Sequence, residues 1–442
     1  MTSAATPATT YDVVTAVWGA EFIDLFLDVC IPNQLSPANL PALPPGSRYR
    51  IFTTGADVPR LAADPRLDDV RRVLQVNIVE VDMTEADRQV MPGESWNVHK
   101  RMIACHRRAA ADAAIGERAL IFLAPDFVLA EGTIAGLVRI HSGGARAVLT
   151  ANLRLSREGV VAALAARRAN GALPPRELVG LAMRHLHPWT RSLMADGTST
   201  SDNPTSVYWP VRSGSAVEGL LVRSFYLHPM LVDPVRRMLM PGGPIDSHYV
   251  RDCCPDLTEC QVVDDSDDLI VFELSPAGRV ISNERSRRGV SPLRLSAVAA
   301  NCDRYQLSHW QRPIRLHAGD LDERWTAVEK ASSRLVRDVE RYRPYGPGLV
   351  RIYGLLKVLG QRRAAYGRIY RRARRYARDV RRALLRRVAN ARDVAKTLRP
   401  RFPSKQIARP AKLLWHRAAK TLALRLKRMR RDGSVGVLWT RR

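Results

Sequence analysis

Short apolar runs alternate with segments of helical periodicity along the first part of the chain. Residues 11–18, 49–54, 73–81 and 119–123 are rich in Val, Ile, Leu and Phe, which predicts buried strands. Residues 20–30 and 96–114 place apolar side chains three and four positions apart, which is typical of helices. Strands that alternate with helices predict an α/β fold whose doubly wound, mostly parallel sheet is buried on both faces.

The same alternation continues to about residue 280. Further strands are predicted at residues 145–153, 207–210, 219–227 and 269–274, and further helices at 156–170 and 178–187. The polar and acidic residues collect in the loops that follow strands. We therefore expect one continuous α/β body.

Charge divides the chain into two parts. The 442 residues carry a formal net charge of +27, but residues 341–442 alone hold 32 Lys and Arg against three Asp. The rest of the chain is nearly neutral, so the basic character describes an appendage and not the chemistry of the body. We predict a catalytic domain at residues 1–320 and a basic helical tail at 321–442.

The tail combines an apolar stripe with arginine-rich faces. Apolar positions recur at helical spacing from Tyr366 to Leu398, and residues 412–431 repeat the design with Trp415 among them. Basic amphipathic helices bind anionic bilayers, which makes an anionic membrane surface the favoured partner. Binding of nucleic acid through the arginines is the second interpretation, although no nucleic-acid motif is present. A coiled-coil or intramolecular packing face is the third.

Several classes of protein are excluded or disfavoured. The sequence has no HExxH, GxSxG or P-loop glycine pattern, which argues against zinc proteases, serine hydrolases and P-loop nucleotidases. Six scattered cysteines without a CxxC pair indicate thiols in a reducing cytosol. The first ten residues lack the features of a signal peptide, and residues 120–140, the most apolar stretch, contain three charges. We expect a cytoplasmic protein that is soluble or peripheral on the inner membrane face.

Asp126 follows directly on the predicted strand at residues 119–123, and Glu131 lies five residues further on. Ligands of open parallel sheets bind beyond the carboxyl ends of strands, where a carboxylate can hold a divalent cation that neutralises a diphosphate. A simple turn aspartate after Pro125 explains the same residue. His228, after the strand at 219–227, is a third candidate metal ligand or a contact for a phosphate, and a structural histidine beside Pro229 is the alternative.

At this point the body resembles a bacterial glycosyltransferase of the GT-A kind over roughly residues 11–280. The resemblance rests on the order of VVTAVWG, FIDLFLDVCIPNQL, YRIFTT, HKRMIACHRRAAADA, IFLAPDFVLAEG, LLVRSFYLHPMLV and PIDSHYV. Such enzymes bind a nucleotide-sugar over the first half of the sheet and the acceptor over the second. The family usually carries an Asp-x-Asp pair on the acidic turn, whereas this chain has a single aspartate, Asp126.

The resemblance implies roles for individual residues. Asp126, assisted by Glu131, takes the metal and diphosphate position, with Mn²⁺ or Mg²⁺ as the expected ion. Residues expected to bind the donor nucleotide-sugar are Thr15, Trp18, Thr53, Lys100 and Arg101. Asp246 is the candidate general base that takes the proton of the attacking hydroxyl. Core, strand and helix-cap roles are the structural alternatives for Trp18, Thr15 and Asp246.

The predicted function is transfer of a sugar from a nucleotide-sugar to a surface-polysaccharide or glycolipid acceptor at the cytoplasmic membrane face. The alternative is a non-enzymatic protein that binds nucleic acid or another anionic polymer through the tail. The acidic run at residues 264–268 lacks the glycine and distal glutamate of a calcium loop, so a solvated turn is expected there.

Overall fold

The computed structural model describes residues 9–82, 97–166, 171–197, 200–201, 204–233, 245, 247–278, 285–286 and 290–346. The chain divides into two compact units, Met1–Gly354 and Leu355–Arg442. All described residues belong to the first unit. The predicted basic helices beyond residue 346, and the candidate base Asp246, therefore lie outside the described residues.

Seven strands form a large sheet. They are β1 (Tyr11–Ala16), β2 (Arg48–Thr53), β3 (Gln75–Glu80), β4 (Ala119–Phe122), β6 (Ala147–Thr150), β11 (His228–Val232) and β12 (Cys260–Val262). Their order across the sheet is β3-β2-β1-β4-β11-β6-β12, and β11 is antiparallel to both of its neighbours. The other strands pair in parallel. The prediction of a mixed α/β fold with a mostly parallel sheet is thus confirmed.

Helices cover both faces of this sheet and its neighbours. Their bounds are α1 (Ala20–Leu25), which continues through a π-helical turn (Phe26–Cys30) into α2 (Ile31–Gln34), then α3 (Val58–Ala62), α4 (Arg66–Val73), α5 (Asn97–Gly116), α6 (Thr133–Ser142), α7 (Arg157–Ala166), α8 (Pro175–Arg184), α9 (Pro188–Arg191), α10 (Ser247–Cys253), α11 (Pro292–Ala299), α12 (Arg304–Gln311) and α13 (Glu323–Tyr342). Short 3-10 turns occupy Leu40–Ala42, Leu257–Glu259 and Arg343–Tyr345.

Adjacent residues of each central strand enter different cores, because side chains alternate across a sheet. Val13 and Ile121 pack with Ile23, Phe26 and other residues of α1, α4 and α6 on one face. Val14 and Phe122 pack with Cys105 and Ala109 of α5 on the other. A strand buried on both faces needs apolar residues at every position, which explains the continuous apolar runs in the sequence.

Three predicted strands belong to smaller sheets within the same compact unit. Strands β9 (Ser206–Ser213) and β10 (Ala216–Ser224) form an antiparallel hairpin that pairs with β15 (Ile314–His317). Strand β13 (Val271–Ser275) lies between β5 (Phe127–Leu129) and β7 (Leu153–Ser156). Strands β8 (Thr200–Ser201) and β14 (Arg285–Ser286) form a two-stranded pair. Sequence patterns identify strands but not their partners, because pairing depends on distant segments.

Helix α13 packs on the β9–β10 hairpin. Its Trp325 and Val339 join Trp209, Phe225 and Trp310 in a third core, where the rings of Phe225 and Trp310 stack with centroids 4.3 Å apart. The predicted domain boundary after residue 320 falls just before this helix, whereas the compact unit extends to Gly354. No described helix combines the length and the apolar composition needed to span a bilayer.

Arg223 of β10 holds α13 in place from within the protein. It is 4% exposed, and its guanidinium donates to the Ser332 hydroxyl at 3.2 and 3.3 Å, to Ser333 at 3.4 Å and to the carbonyl of Gln311. Burial lowers the pKa of Arg223 to about 10, so the group stays charged at neutral pH.

We expect Arg223→Ala to lower the free energy of unfolding by about 2–3 kcal/mol, because each buried hydrogen bond from a charged donor contributes roughly 1.5–3 kcal/mol. Urea denaturation followed by circular dichroism measures the change. Arg212→Ala, which removes an exposed arginine paired with Asp196, is the matched control and should cost less than about 1 kcal/mol. Equal losses in the two variants would contradict the role given to Arg223.

Candidate functional site

The order of the strands reverses between β1 and β4. From β1 the chain moves outward to β2 and β3, and it then returns to place β4 on the other side of β1. The carboxyl ends of β1 and β4 are therefore neighbours at a switch point, and the space beyond them, called the crevice below, is where open α/β sheets usually bind ligands. Trp18 and Gly19 border this crevice after β1, and Asp126 borders it after β4.

Asp126 lies in the turn at the end of the four-residue segment that joins β4 to β5. Its carbonyl oxygen accepts a hydrogen bond from the Leu274 amide at 2.9 Å, which ties the turn to β13. The thiol of Cys30, at the end of the π-helical turn, donates to the Pro125 carbonyl at 3.2 Å. Burial and the neighbouring Asp126 charge both raise the pKa of the Cys30 thiol. The backbone of the turn that carries the half-buried Asp126 is therefore held from two sides.

Two imidazoles lie at the same end of β4. His228 Nε2 contacts the Phe122 carbonyl at 3.3 Å, and its ring meets Phe127 edge to face with centroids 5.0 Å apart. His106 of α5 contacts the Phe122 ring, with centroids 5.2 Å apart. Burial lowers the pKa of His228 to about 4 and that of His106 to about 3. Both rings are neutral at pH 7, and with Nε2 of His228 donating, Nδ1 is the nitrogen left to accept a proton or a metal.

Acid should destabilise the protein through these rings. An unfolded histidine has a pKa near 6.5, so between pH 6.5 and 4 the unfolded chain binds protons that the folded chain does not, and stability falls with the pH. We expect a loss of roughly 2 kcal/mol for each such histidine by pH 4.5, measured by urea denaturation at pH 7, 6, 5 and 4.5. His228→Gln should flatten this pH dependence; an unchanged slope would contradict the buried neutral state.

Lys100 and Arg101 lie at the mouth of the crevice. They belong to the first turns of α5, nearly two turns before His106, which itself contacts the last residue of β4. At a rise of 1.5 Å per residue, both residues extend beyond the strand end. The Nζ atom of Lys100 is buried and has no hydrogen-bond partner among the described residues. An ammonium in that state is suited to an anionic ligand.

Thr15 does not line the crevice, which corrects the sequence prediction. Its side chain is fully buried within β1, and its hydroxyl is 2.9 Å from that of Tyr49, which in turn donates to Gln34. Thr53, the last residue of β2, is also fully buried, but its Oγ1 has no hydrogen-bond partner among the described residues. Trp18 is half-buried at the end of β1, against the core on the α5 side. Of these three residues, Trp18 and Thr53 lie at the carboxyl ends of their strands, as the sequence analysis expects.

Sequence reasoning missed a bridge between the loops after β1 and β2. Asp57 accepts hydrogen bonds from the Gly19 amide at 3.0 Å and from the Thr54 hydroxyl at 2.8 Å. Gly19 has φ +80°, a conformation that favours glycine, and it precedes the first residue of α1. The bridge holds the rim of the crevice on the β2 side. The sequence signal for this bridge was a polar residue, Asp57, soon after the predicted strand at residues 49–54.

Asn152 was missed as well. It follows β6 at the same edge of the sheet, and its amide nitrogen donates to Glu273 at 3.2 Å. Because a carboxylate only accepts, this contact fixes the orientation of the amide and leaves Oδ1 buried without a described partner. Arg154 pairs with the same Glu273 at 2.9 Å. Asn152 is thus a fixed polar group at the same edge of the sheet, after a strand that β11 separates from β4.

The predicted metal ligands Asp126, Glu131 and His228 are not assembled into one site in the described part of the chain. Glu131 lies beyond β5, where its carboxylate accepts a hydrogen bond from the Ala38 amide at 2.8 Å. A different group is assembled within the described ranges. Asp265, Asp267 and His317 each have a possible ligand atom within 4.8 Å of those of the other two.

A cavity of about 870 Å³ lies away from the strand ends, between α2, α4 and α7. Its walls include Val29, Ile31 and Leu164, and the arginines at its rim pair with neighbouring aspartates. Because these charges already neutralise one another, the cavity is less suited to a diphosphate than the crevice at β1 and β4.

Comparisons with known proteins give little further guidance. No protein-family model matches the chain, and no curated protein matches it either. Among solved structures, the chain is similar to S. aureus TarS with 10% sequence identity and a TM-score of 0.26, over 76% of this chain and 44% of that one. The chain thus spans less than half the length of TarS, and a TM-score this low assigns neither fold nor activity.

Proposed function

We propose that the body is a glycosyltransferase of the GT-A kind that binds a nucleotide-sugar in the crevice between β1 and β4. The observation that supports the proposal is that Asp126 and Lys100, whose Nζ has no described hydrogen-bond partner, both lie beyond the carboxyl end of β4 at a topological switch point. Buried polar groups are normally satisfied, so Lys100 Nζ and Thr53 Oγ1 mark positions where a polar ligand would complete the structure.

The two charged residues suit different parts of a donor. Lys100 can offset diphosphate charge through charge-assisted hydrogen bonds. A single carboxylate such as Asp126 fits Mg²⁺ or Mn²⁺ when the remaining ligands come from substrate phosphates and water. An ion held there would neutralise the charge that develops on the leaving diphosphate. Trp18 offers an apolar ring at the rim, where a base can stack.

In the proposed transfer, the acceptor oxygen forms a bond to the anomeric carbon while the bond to the nucleoside diphosphate breaks. The electron pair leaves with the diphosphate, and the hydroxyl proton passes to a carboxylate base, for which Asp246 stays our prediction. Surface polysaccharide or glycolipid is the proposed acceptor. The basic tail would hold the enzyme on anionic lipid, as the sequence analysis predicts.

Binding of nucleotide-sugars tests the proposal directly. Thermal-shift measurements on the full chain with UDP- and GDP-sugars, with and without Mn²⁺, should give a rise in the melting temperature for one nucleotide. Slow hydrolysis of the same donor, followed by release of nucleoside diphosphate, should accompany it. Absence of both effects across the panel would overturn the proposal.

The alternative is a non-enzymatic protein that binds an anionic polymer. The composition of residues 341–442, with 32 basic and three acidic residues, favours it. Flotation of the full chain with anionic liposomes and filter binding to nucleic acid over a salt series distinguish the two partners of the tail. Tight nucleic-acid binding together with failure of every nucleotide-sugar would favour this alternative.

A further inference from the structure

We propose that Asp265, Asp267 and His317 form a binding site for one divalent transition cation, Mn²⁺ or Zn²⁺. Asp265 and Asp267 lie in the loop after β12, and His317 is the last residue of β15. One ligand atom from each of the three lies within 4.8 Å of the other two. The site is at the β12 edge of the large sheet, and it does not depend on the proposed transferase activity.

The distances suit a metal ion. His317 Nε2 is 2.9 Å from Asp265 Oδ1 and 3.9 Å from Asp267 Oδ2. Nitrogen and oxygen ligands about 2.1 Å from a zinc ion are roughly 3.4 Å apart in tetrahedral geometry. The two observed distances lie on either side of that value, so shifts of about half an ångström would place all three atoms around one ion.

The other ring nitrogen of His317 shows which atom faces the carboxylates. His317 is 2% exposed, and its Nδ1 is 2.6 Å from the Gly319 carbonyl, which can only accept a hydrogen bond. Nδ1 therefore donates to this carbonyl, which leaves Nε2 as the ring nitrogen that faces Asp265 and can bind a metal ion. A backbone carbonyl that orients a histidine in this way is the usual outer partner of a metal ligand.

The surrounding charges leave room for a divalent cation. Arg176 donates to Asp267 at 2.9 Å and to Asp320 at 2.6 Å. Apart from His317, the three carboxylates of Asp265, Asp267 and Asp320 exceed the single guanidinium of Arg176 by two negative charges. Arg176 also contacts both oxygens of Asp267, and so orients this carboxylate as outer partners orient metal-binding carboxylates.

The loop is already arranged around the site. The Asp267 amide donates to Asp265 Oδ1 at 2.9 Å, and the His317 amide donates to the Ser266 hydroxyl at 3.1 Å. The carboxylates of Asp265 and Asp267 are 31% and 41% exposed, which gives an ion access from solvent. One imidazole with two carboxylates favours Mn²⁺ or Zn²⁺ over Mg²⁺ or Ca²⁺. A bound ion would link the loop after β12 to the sheet that contains β15.

The full chain is first treated with a chelator to remove bound metal, and titration with metal ions then tests the proposal. Calorimetry with Zn²⁺ and Mn²⁺ should show one site, with Mg²⁺ and Ca²⁺ at least ten-fold weaker, and Co²⁺ should give a visible absorption band that Zn²⁺ removes. His317→Gln and Asp267→Asn should each weaken binding about 100-fold. Asp268→Asn is the matched control, because Asp268 is in the same loop but pairs with Arg139 at 3.0 Å, and it should bind as the wild type does.

Circular dichroism checks that each variant is folded. If His317→Gln is not folded, Asp265→Asn replaces it in the binding measurement. Absence of one-site binding would overturn the proposal and would mean that His317 holds a proton against Asp265 instead. Binding that survives in both His317→Gln and Asp265→Asn would also overturn it, since the ion would then lie elsewhere.

Discussion

Replacement of Asp126 by Asn should reduce turnover of the nucleotide-sugar by at least about 100-fold, because loss of one group that stabilises developing charge typically costs 10²–10³ in rate. Asn keeps the size of the side chain and the backbone hydrogen bond from Leu274, which is made by the carbonyl of residue 126. The turn should therefore persist, and only the carboxylate charge is lost. Release of nucleoside diphosphate measures the effect.

Asp196→Asn is the control for this measurement, since Asp196 is exposed and pairs with Arg212 on the β9–β10 hairpin. It should leave turnover unchanged. The pKa of the Cys30 thiol gives an independent check that the charge has gone, because Asp126 helps to raise it. Turnover that survives Asp126→Asn, in a variant whose Cys30 pKa has fallen, would remove Asp126 from the site.

Asp12→Ala should destabilise the body by about 3–5 kcal/mol, because removal of one partner leaves buried charges without compensation. Asp12 is fully buried in β1, and Arg48 donates to both of its oxygens at 2.6 and 2.8 Å. Arg118 and Arg50 lie 3.6 and 3.8 Å from the same carboxylate. Without Asp12, three guanidinium groups would face one another, and the remaining acid that contacts Arg50 is Asp112.

Chemical denaturation measures this loss, and Asp24→Ala serves as the control, because Asp24 forms an exposed pair with Arg60. The control should cost less than about 1 kcal/mol. An Asp12→Ala variant as stable as the control would show that the arginines relax into solvent and that the network contributes little.

The central strands were predictable because burial on both faces leaves a local trace. Every residue of Ala119–Phe122 is buried, and the run is apolar throughout. The direction of β11 was not predictable from the sequence. It depends on where β10 ends and on the pairing of β11 with β4 and β6, which flank it. Thr15 failed for a similar reason, since the hydroxyl of Tyr49 that engages it is 34 positions away in sequence.

The acidic residues show the same limit. The sequence draws attention to Asp126 because the strand before it is easily recognised. It gives the run at residues 264–268 the role of a solvated turn, because the histidine that faces Asp265 is 52 positions away. Only the pairing of β15 with β10, and the bridge between Asp265 and Arg315, place that histidine beside the run.

The link between β10 and β11 has a mechanical consequence. β10 ends at Ser224 and β11 begins at His228, so three residues join the antiparallel hairpin to the strand beside β4. His228, the first residue of β11, contacts Phe127, which follows Asp126, so a displacement of the hairpin would act on the turn that carries Asp126.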